Sequence, residues 1–165
     1  MNVMNSPRLG FGLVLLISVG LLAFAYYAQY VLLIEPCPLC ILQRMGFMVM
    51  AAGAAAGLIP GTRGWGRWVY GAVIGIGGIW GVTTAGRHLW LQSLPADQVP
   101  ECGPGLEFML EFFGPLEALR SAFTGAGECA EVDWSLMGLS MPAWTLIWYV
   151  ALMAIALIAL VRVRK

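Results

Sequence analysis

Four stretches of this chain stay apolar for long enough to cross the hydrocarbon core of a membrane, and nothing else in the sequence limits the fold so severely. They cover residues 9–34, 41–59, 68–86 and 143–161. At a helical rise of roughly 1.5 Å per residue, about 20 apolar residues are enough to span that core. None of the four contains an acidic residue, and their only base is Arg44, near the start of the second. A lipid-embedded backbone must satisfy its own hydrogen bonds, which a helix does within one segment. Composition points the same way. Hydrophobic residues make up 60% of the 165 positions and charged residues 11%, more apolar surface than a soluble domain of this length could hide. The expected fold is an all-α membrane protein, a four-transmembrane-helix bundle forming one domain over residues 1–165.

The charges are balanced in number and segregated in place. Arg8, Arg63, Arg67, Arg162, Arg164 and Lys165 lie at the two termini and in the loop between the second and third spans. All nine acidic residues lie in the other two loops, 35–40 and 87–142. Basic residues in short loops mark the cytoplasmic side, so both termini are expected in the cytoplasm and both acidic loops outside. Tyr26, Tyr27, Tyr30, Trp65, Trp68, Trp90, Trp144 and Trp148 fall near span ends, where an interfacial aromatic belt sits. No basic patch suited to nucleic acid is present; the partner implied by composition is the lipid bilayer. Arg8, the apolar run after it and Ala23-Phe24-Ala25 resemble a cleavable secretory signal. The run continues to Ile34, beyond a signal core of about 7–15 residues, and is expected to be a retained anchor.

Small residues recur at four-residue spacing as Gly53/Gly57, Gly71/Gly75 and Gly77/Gly81. Such spacing lets helix backbones approach closely in lipid, and packing within the bundle is expected of it. The loop 87–142 is too long for a plain connection. Within it, Leu116, Leu119, Ala122 and Phe123 could form the apolar face of a short helix after Pro115, suited to lying in the interface plane.

Chemistry is concentrated in four cysteines, all in the two loops expected outside: Cys37 and Cys40 in the first, Cys102 and Cys129 in the second. An external face tolerates disulfides, and four cysteines allow three pairings. The C-x-x-C spacing favours Cys37–Cys40, which leaves Cys102–Cys129. A structural zinc site is not expected, because such sites usually take two closely spaced ligand pairs and no histidine is near the widely spaced pair in sequence. Two structural staples are the plain alternative. They suit Cys102–Cys129 better than Cys37–Cys40, since so short a ring constrains little chain entropy. Redox activity explains the short pair better. Cys40 falls at the expected start of a helix, where the dipole favours a thiolate, and Arg44 follows one turn later. Pro36 and Pro38 stiffen the approach. A disulfide that oxidises other thiols needs an electron sink to turn over. The glycines at 75, 77, 78 and 81 do not have nucleotide-binding spacing and lie within a span. His88, the only histidine, cannot supply a bis-histidine haem. A pair at the membrane lip could pass electrons to a lipid-soluble quinone.

The segments "PCPLCILQR", "RHLWLQ", "PECGPGLEFML" and "GECAEVDWSLMGLSMPAW", joined by four similarly placed spans, closely resemble the bacterial disulfide bond formation protein B family (DsbB). The resemblance covers most of the chain. It implies an inner-membrane thiol:quinone oxidoreductase that re-oxidises a periplasmic thioredoxin-like dithiol oxidase (DsbA-like), with ubiquinone or menaquinone as the quinone. By the same resemblance, the partner attacks Cys102, and electrons move from Cys102–Cys129 to Cys37–Cys40 through a Cys37–Cys129 bridge. Cys40 then becomes the thiolate facing quinone. Arg44 matches the family's quinone-site arginine and His88 a family histidine near the ring. Gln43 departs from better-known members, in which a glutamate can occur there.

Two other readings are set against this one. A vitamin K epoxide reductase-like enzyme shares the bundle, the C-x-x-C and the quinone chemistry, but a C-x-x-C between the first two spans argues against it. A non-enzymatic four-span scaffold would use its disulfides only to brace the outer loops.

Overall fold

A computed structural model describes residues 7–59, 64–95, 127–130 and 135–162, together with positions 98, 112, 114, 116 and 120. Cys102 and most of the short helix expected over 115–123 lie outside the described residues. Four long helices dominate: α1 Pro7–Tyr30, α2 Pro38–Leu58, α3 Gly66–Gln92 and α4 Met141–Arg162. All four contain segments long and apolar enough to cross a membrane, and the chain is a multi-pass helical membrane protein. A 3-10 turn at Gly127–Ala130 packs on α3, and a small hairpin, β1 Ser135–Leu136 with β2 Leu139–Ser140, leads into α4.

Local chemistry sets where the helices stop. The apolar run continues to Ile34, yet α1 ends at Tyr30. Leu33 adopts a left-handed conformation at φ 54°, and the Ile34 amide reaches back to the Ala28 carbonyl at 3.1 Å. That is the capping geometry by which a left-handed residue satisfies last-turn carbonyls. Pro36 and Pro38 follow, and Pro38 opens α2 at a position where a missing amide costs nothing. At the same end of the bundle, α3 continues past Gly86 to Gln92, because no breaker interrupts "RHLWLQ". That extra turn and a half carries His88 on a regular helix.

The helices close into a ring in which α1 touches α2, α2 touches α3, α3 touches α4 and α4 returns to α1; the last contact is the least extensive. The deep core holds Phe11, Val14, Phe47, Met50, Ala54, Ile74, Tyr149, Leu152 and Ala156. Outward faces carry Leu16, Ile76, Ile79, Val150 and Leu157, as lipid contact requires. Glycine makes the close approaches possible. A Cβ on Gly81 would stand 2.0 Å from the Tyr149 ring, and one on Gly77 2.9 Å from the Gly46 carbonyl oxygen. Tyr149 therefore lies flat in a slot between α2 and α3, stacked on Phe47 with ring centroids 4.1 Å apart. Gly75, by contrast, faces open space and takes no part in this packing.

Candidate redox site at the lip of the bundle

The N-terminus of α2 brings the first cysteine pair together. Cys37 is the residue capping the helix, with Pro38 in the first turn behind it. Its Sγ accepts from the Cys40 amide at 3.4 Å, in the manner of a capping side chain. The Cys40 sulfur lies 3.1 Å from Cys37 Sγ, a thiol–thiol contact beyond the ~2.05 Å of a disulfide bond. Cys40 therefore sits in the first helical turn, where unpaired amides favour negative charge.

Cys129, far away in sequence, joins this pair in space. The 3-10 turn packs on α3 and buries Cys129 completely against Leu39, Leu42 and Leu91. The reactive atoms of Cys37, Cys129 and His88 lie within 4.8 Å of one another, with His88 Nε2 at 3.9 Å from Cys37 Sγ. The Cys129 thiol is held well above the ordinary thiol range. Its hydrogen bond with Cys37 is the largest cause, and burial adds to it, while the Leu39 amide pulls the other way. His88, far from Cys129 in sequence, is placed beside it by the fold.

His88 is almost fully buried, so it is not a histidine displayed at the lip. Its Nδ1 lies 3.3 Å from the Gln43 side-chain amide, which in turn meets the Thr145 hydroxyl at 2.9 Å. The Tyr149 hydroxyl donates to the Gln43 backbone carbonyl. Arg44 faces the opposite way, toward α1. It donates to Gln29 Oε1 and, at 3.2 Å, to the Ala25 carbonyl, and its guanidinium carbon stands 5.2 Å from the Tyr26 ring centroid. Arg44 is thus fixed by α1 rather than reaching freely for the membrane surface.

Cys37, Cys40, Gln43, Arg44, His88 and Thr145 line one cavity of about 440 Å³, and Cys129 lies behind Cys37. Leu21, Leu22, Phe24, Phe47 and Trp148 give it apolar walls, and Cys37, Cys40, Gln43, Arg44 and His88 stand along its polar side. A flat ring with an apolar tail and carbonyl oxygens fits that donor set. Polar atoms that could face a carbonyl stand near two sulfurs, Glu35, Gln92 and Thr145 also reach the lining, and the rest of the wall is mostly hydrocarbon. The sequence-predicted residues Cys37, Cys40, Cys129, Arg44 and His88 are all brought to this site; Cys102 lies outside the described residues. Reading the sequence did not single out Gln29, Thr145 or Tyr149, nor give Gln43 a role. The available signal was a polar side chain inside an apolar span, which in lipid usually has a partner or a task.

Comparison with known proteins gives a family. Residues 7–159 match the family model described as disulfide bond formation protein DsbB. The chain is 47% identical to the disulfide bond formation protein B of Marinobacter nauticus over 152 residues, 92% of this chain and 90% of that one. It is 48% identical to that of Hahella chejuensis over 143 residues, 87% of each. With the protein of the same name from Xanthomonas axonopodis pv. citri it shares 44% over 161 residues, 97% of this chain and 94% of the relative.

Proposed function

This chain belongs to the disulfide bond formation protein B family, a family of disulfide-forming oxidoreductases, and on that premise we propose that it couples oxidation of a thioredoxin-like dithiol partner to membrane quinone. The observation that carries the reading is the cavity, whose lining joins two sulfurs, a fixed guanidinium and a buried imidazole to largely apolar walls. The host is the bacterial inner membrane, with both termini cytoplasmic and the cysteine-bearing segments periplasmic, as the charge asymmetry suggests.

In this reading a thiolate of the partner attacks Cys102, breaking Cys102–Cys129 and leaving the electron pair on Cys129. Cys129 then attacks Cys37, breaking Cys37–Cys40 and leaving the pair on Cys40. The approach is short, since Cys129 and Cys37 already lie within 4.8 Å. Burial and the Cys37 contact keep a free Cys129 protonated, so its thiolate is reactive chiefly as it is released. Cys40, in the first turn of α2, holds negative charge where helix amides favour it. Arg44 would hold a quinone carbonyl by charge and hydrogen bonding. The partner's second thiolate then attacks its own mixed-disulfide sulfur and releases Cys102, which attacks Cys129 and releases Cys37. A bound quinone would supply the sink, taking up two electrons and two protons as Cys37–Cys40 closes again.

The test is an assay in detergent with a short-chain quinone and a reduced thioredoxin-like dithiol protein. Quinone absorbance is expected to fall in step with appearance of the partner's disulfide, one for one. Partner oxidation that proceeds without quinone consumption, or no reaction at all, would leave a scaffold or another electron sink as the better account.

A further inference from the structure

Gln43, His88 and Thr145 form a side-chain chain that ends on Cys37, and its hydrogens can be placed in two complete ways. Gln43 and His88 are 4% and 3% exposed, so their polar atoms are matched mainly to one another. In the first arrangement the Thr145 hydroxyl donates to Gln43 Oε1 at 2.9 Å. The Gln43 amide then donates to His88 Nδ1 at 3.3 Å, which leaves the imidazole proton on Nε2, aimed at Cys37 Sγ 3.9 Å away. In the second, the Gln43 amide is turned over. Thr145 donates to the Pro142 carbonyl, also at 2.9 Å, and accepts from the Gln43 nitrogen. Gln43 oxygen then accepts from Nδ1–H, and Nε2 presents a lone pair to the Cys37 thiol. Every member is satisfied both times without moving a heavy atom beyond the exchange of amide O and N. The two ends of an amide are close to interchangeable in shape, and the network decides between them.

We infer that Gln43 is a positioning residue that lets His88 present either neutral tautomer to Cys37. With Nε2–H the imidazole donates to Cys37 sulfur when that sulfur carries negative charge or sits in a disulfide. With a bare Nε2 it accepts the thiol proton when Cys37 must become a nucleophile; the proton passes from Sγ to Nε2 and leaves a thiolate beside an imidazolium. Such a sulfur can use both, as the leaving group when Cys102 recloses on Cys129 and as the nucleophile when Cys37–Cys40 closes. The backbone of Gln43 is held by the Tyr149 hydroxyl, so its side-chain amide can turn over without the helix shifting. A carboxylate at position 43 accepts only and supports just the second arrangement; a methionine supports neither.

The purpose assigned here rests on the thiol relay proposed above, whereas the tautomer switch does not. The chain has one histidine, so ¹⁵N-histidine labelling reports His88 alone in the full-length protein in micelles. Protonated and bare ring nitrogens resonate far apart. Wild-type protein with Cys37–Cys40 oxidised is expected to show Nε2–H, because a disulfide sulfur has no proton to give. The reduced protein is expected to shift toward Nδ1–H. Gln43→Glu should show Nδ1–H in both redox states. Gln43→Met should slow opening and closing of Cys37 bonds by roughly tenfold or more, as loss of a partner orienting an imidazole commonly does. Thr145→Val, which removes the far end of the chain and leaves α2 intact, should narrow the redox-dependent shift if Gln43→Met does not fold. One unchanged tautomer in both redox states of the wild type, or a Gln43→Glu spectrum identical to wild type, overturns the inference. A redox-dependent tautomer in a protein that never reduces quinone would support the switch and sink the thiol:quinone reading.

Discussion

The half of the bundle around Met50 and Ile74 and the half around Cys37 and His88 use the same four helices on opposite terms. In the deep half, glycines let helices meet at backbone distance, and the Tyr149 ring fills the slot that Gly46 and Gly81 leave. At the lip, α1 and α4 stand apart from the sulfurs, a cavity opens, and buried polar groups replace hydrocarbon. A close-packed interior loses stability for each misplaced methylene. A polar chamber tolerates volume changes better but suffers when a hydrogen-bond partner is lost. The contrast teaches that stability and chemistry are separable here by position along the helices. Tyr149 belongs to both, with its ring in the core and its hydroxyl on Gln43.

The strongest test of that separation is Cys40→Ala. Quinone turnover should drop to background while the melting temperature in detergent stays within a few degrees, since the side chain is small and lines the cavity. A large loss of stability would erase the boundary between the halves. Next comes Gly81→Val on the core side. The Cβ alone would lie 2.0 Å from the Tyr149 ring, so the cost should reach or exceed the roughly 1–3 kcal/mol usual for overpacking, read by detergent denaturation. Loss of chemistry beyond the unfolded fraction would measure how far the displaced Tyr149 hydroxyl disturbs Gln43.

Arg44→Met sits between the halves. Removing a charge-stabilising donor commonly costs about 3–4 kcal/mol in catalysis, so quinone-dependent turnover should fall on the order of a hundredfold. Because Arg44 also holds Gln29 and the Ala25 carbonyl, about 1–2 kcal/mol of stability should go with it. Lysine should restore part of the rate but not the two-point attachment to α1. Wild-type turnover in Arg44→Met at matched quinone would reduce Arg44 to an interhelical tie.

Alkylation of the reduced protein probes the lip from the sulfur side. Only a thiolate reacts, and the Cys37 contact and burial favour the protonated form of Cys129. Cys129 should therefore alkylate slowly at pH 7 and gain about tenfold per pH unit as pH rises below its raised pKa. Rapid modification at neutral pH, read by mass spectrometry of the labelled peptide, would show that the 3-10 turn does not hold it. The smallest expected effect is that of Thr145→Val on stability, about 1 kcal/mol for one lost hydrogen bond, with the deep core unaffected.

Much of this could be read from the chain. The four spans follow from hydropathy because lipid allows few alternatives, and the C-x-x-C at the start of α2 follows from Pro36, Pro38 and the apolar run behind them. What escaped the reading depends on long-range meetings. Gln43 and Thr145 are 102 residues apart, and no local pattern pairs them. His88 reaches Cys129 only because α3 runs through Gln92 and the 3-10 turn packs beside it. Arg44 could be singled out, but its ties to Gln29 and Ala25 could not, since those partners belong to a different helix. The 135–140 hairpin was also unforeseen: its turn sets Met137 and Gly138 at φ 54° and 79°, and a methionine there gives no turn signal.

The weakest seam of the ring, between α1 and α4, is also where Leu21, Leu22, Trp144 and Trp148 wall the cavity. A tailed molecule that enters between those helices comes from the acyl-chain region rather than from water. Its effective concentration is then a mole fraction in the lipid, fixed by how many such molecules accompany each phospholipid. Half-saturation expressed per litre would rise as more detergent or lipid is added at constant quinone, though nothing in the protein had changed. Expressed per lipid, it would stay constant, and rates from micelles, vesicles and native membranes would fall on one scale.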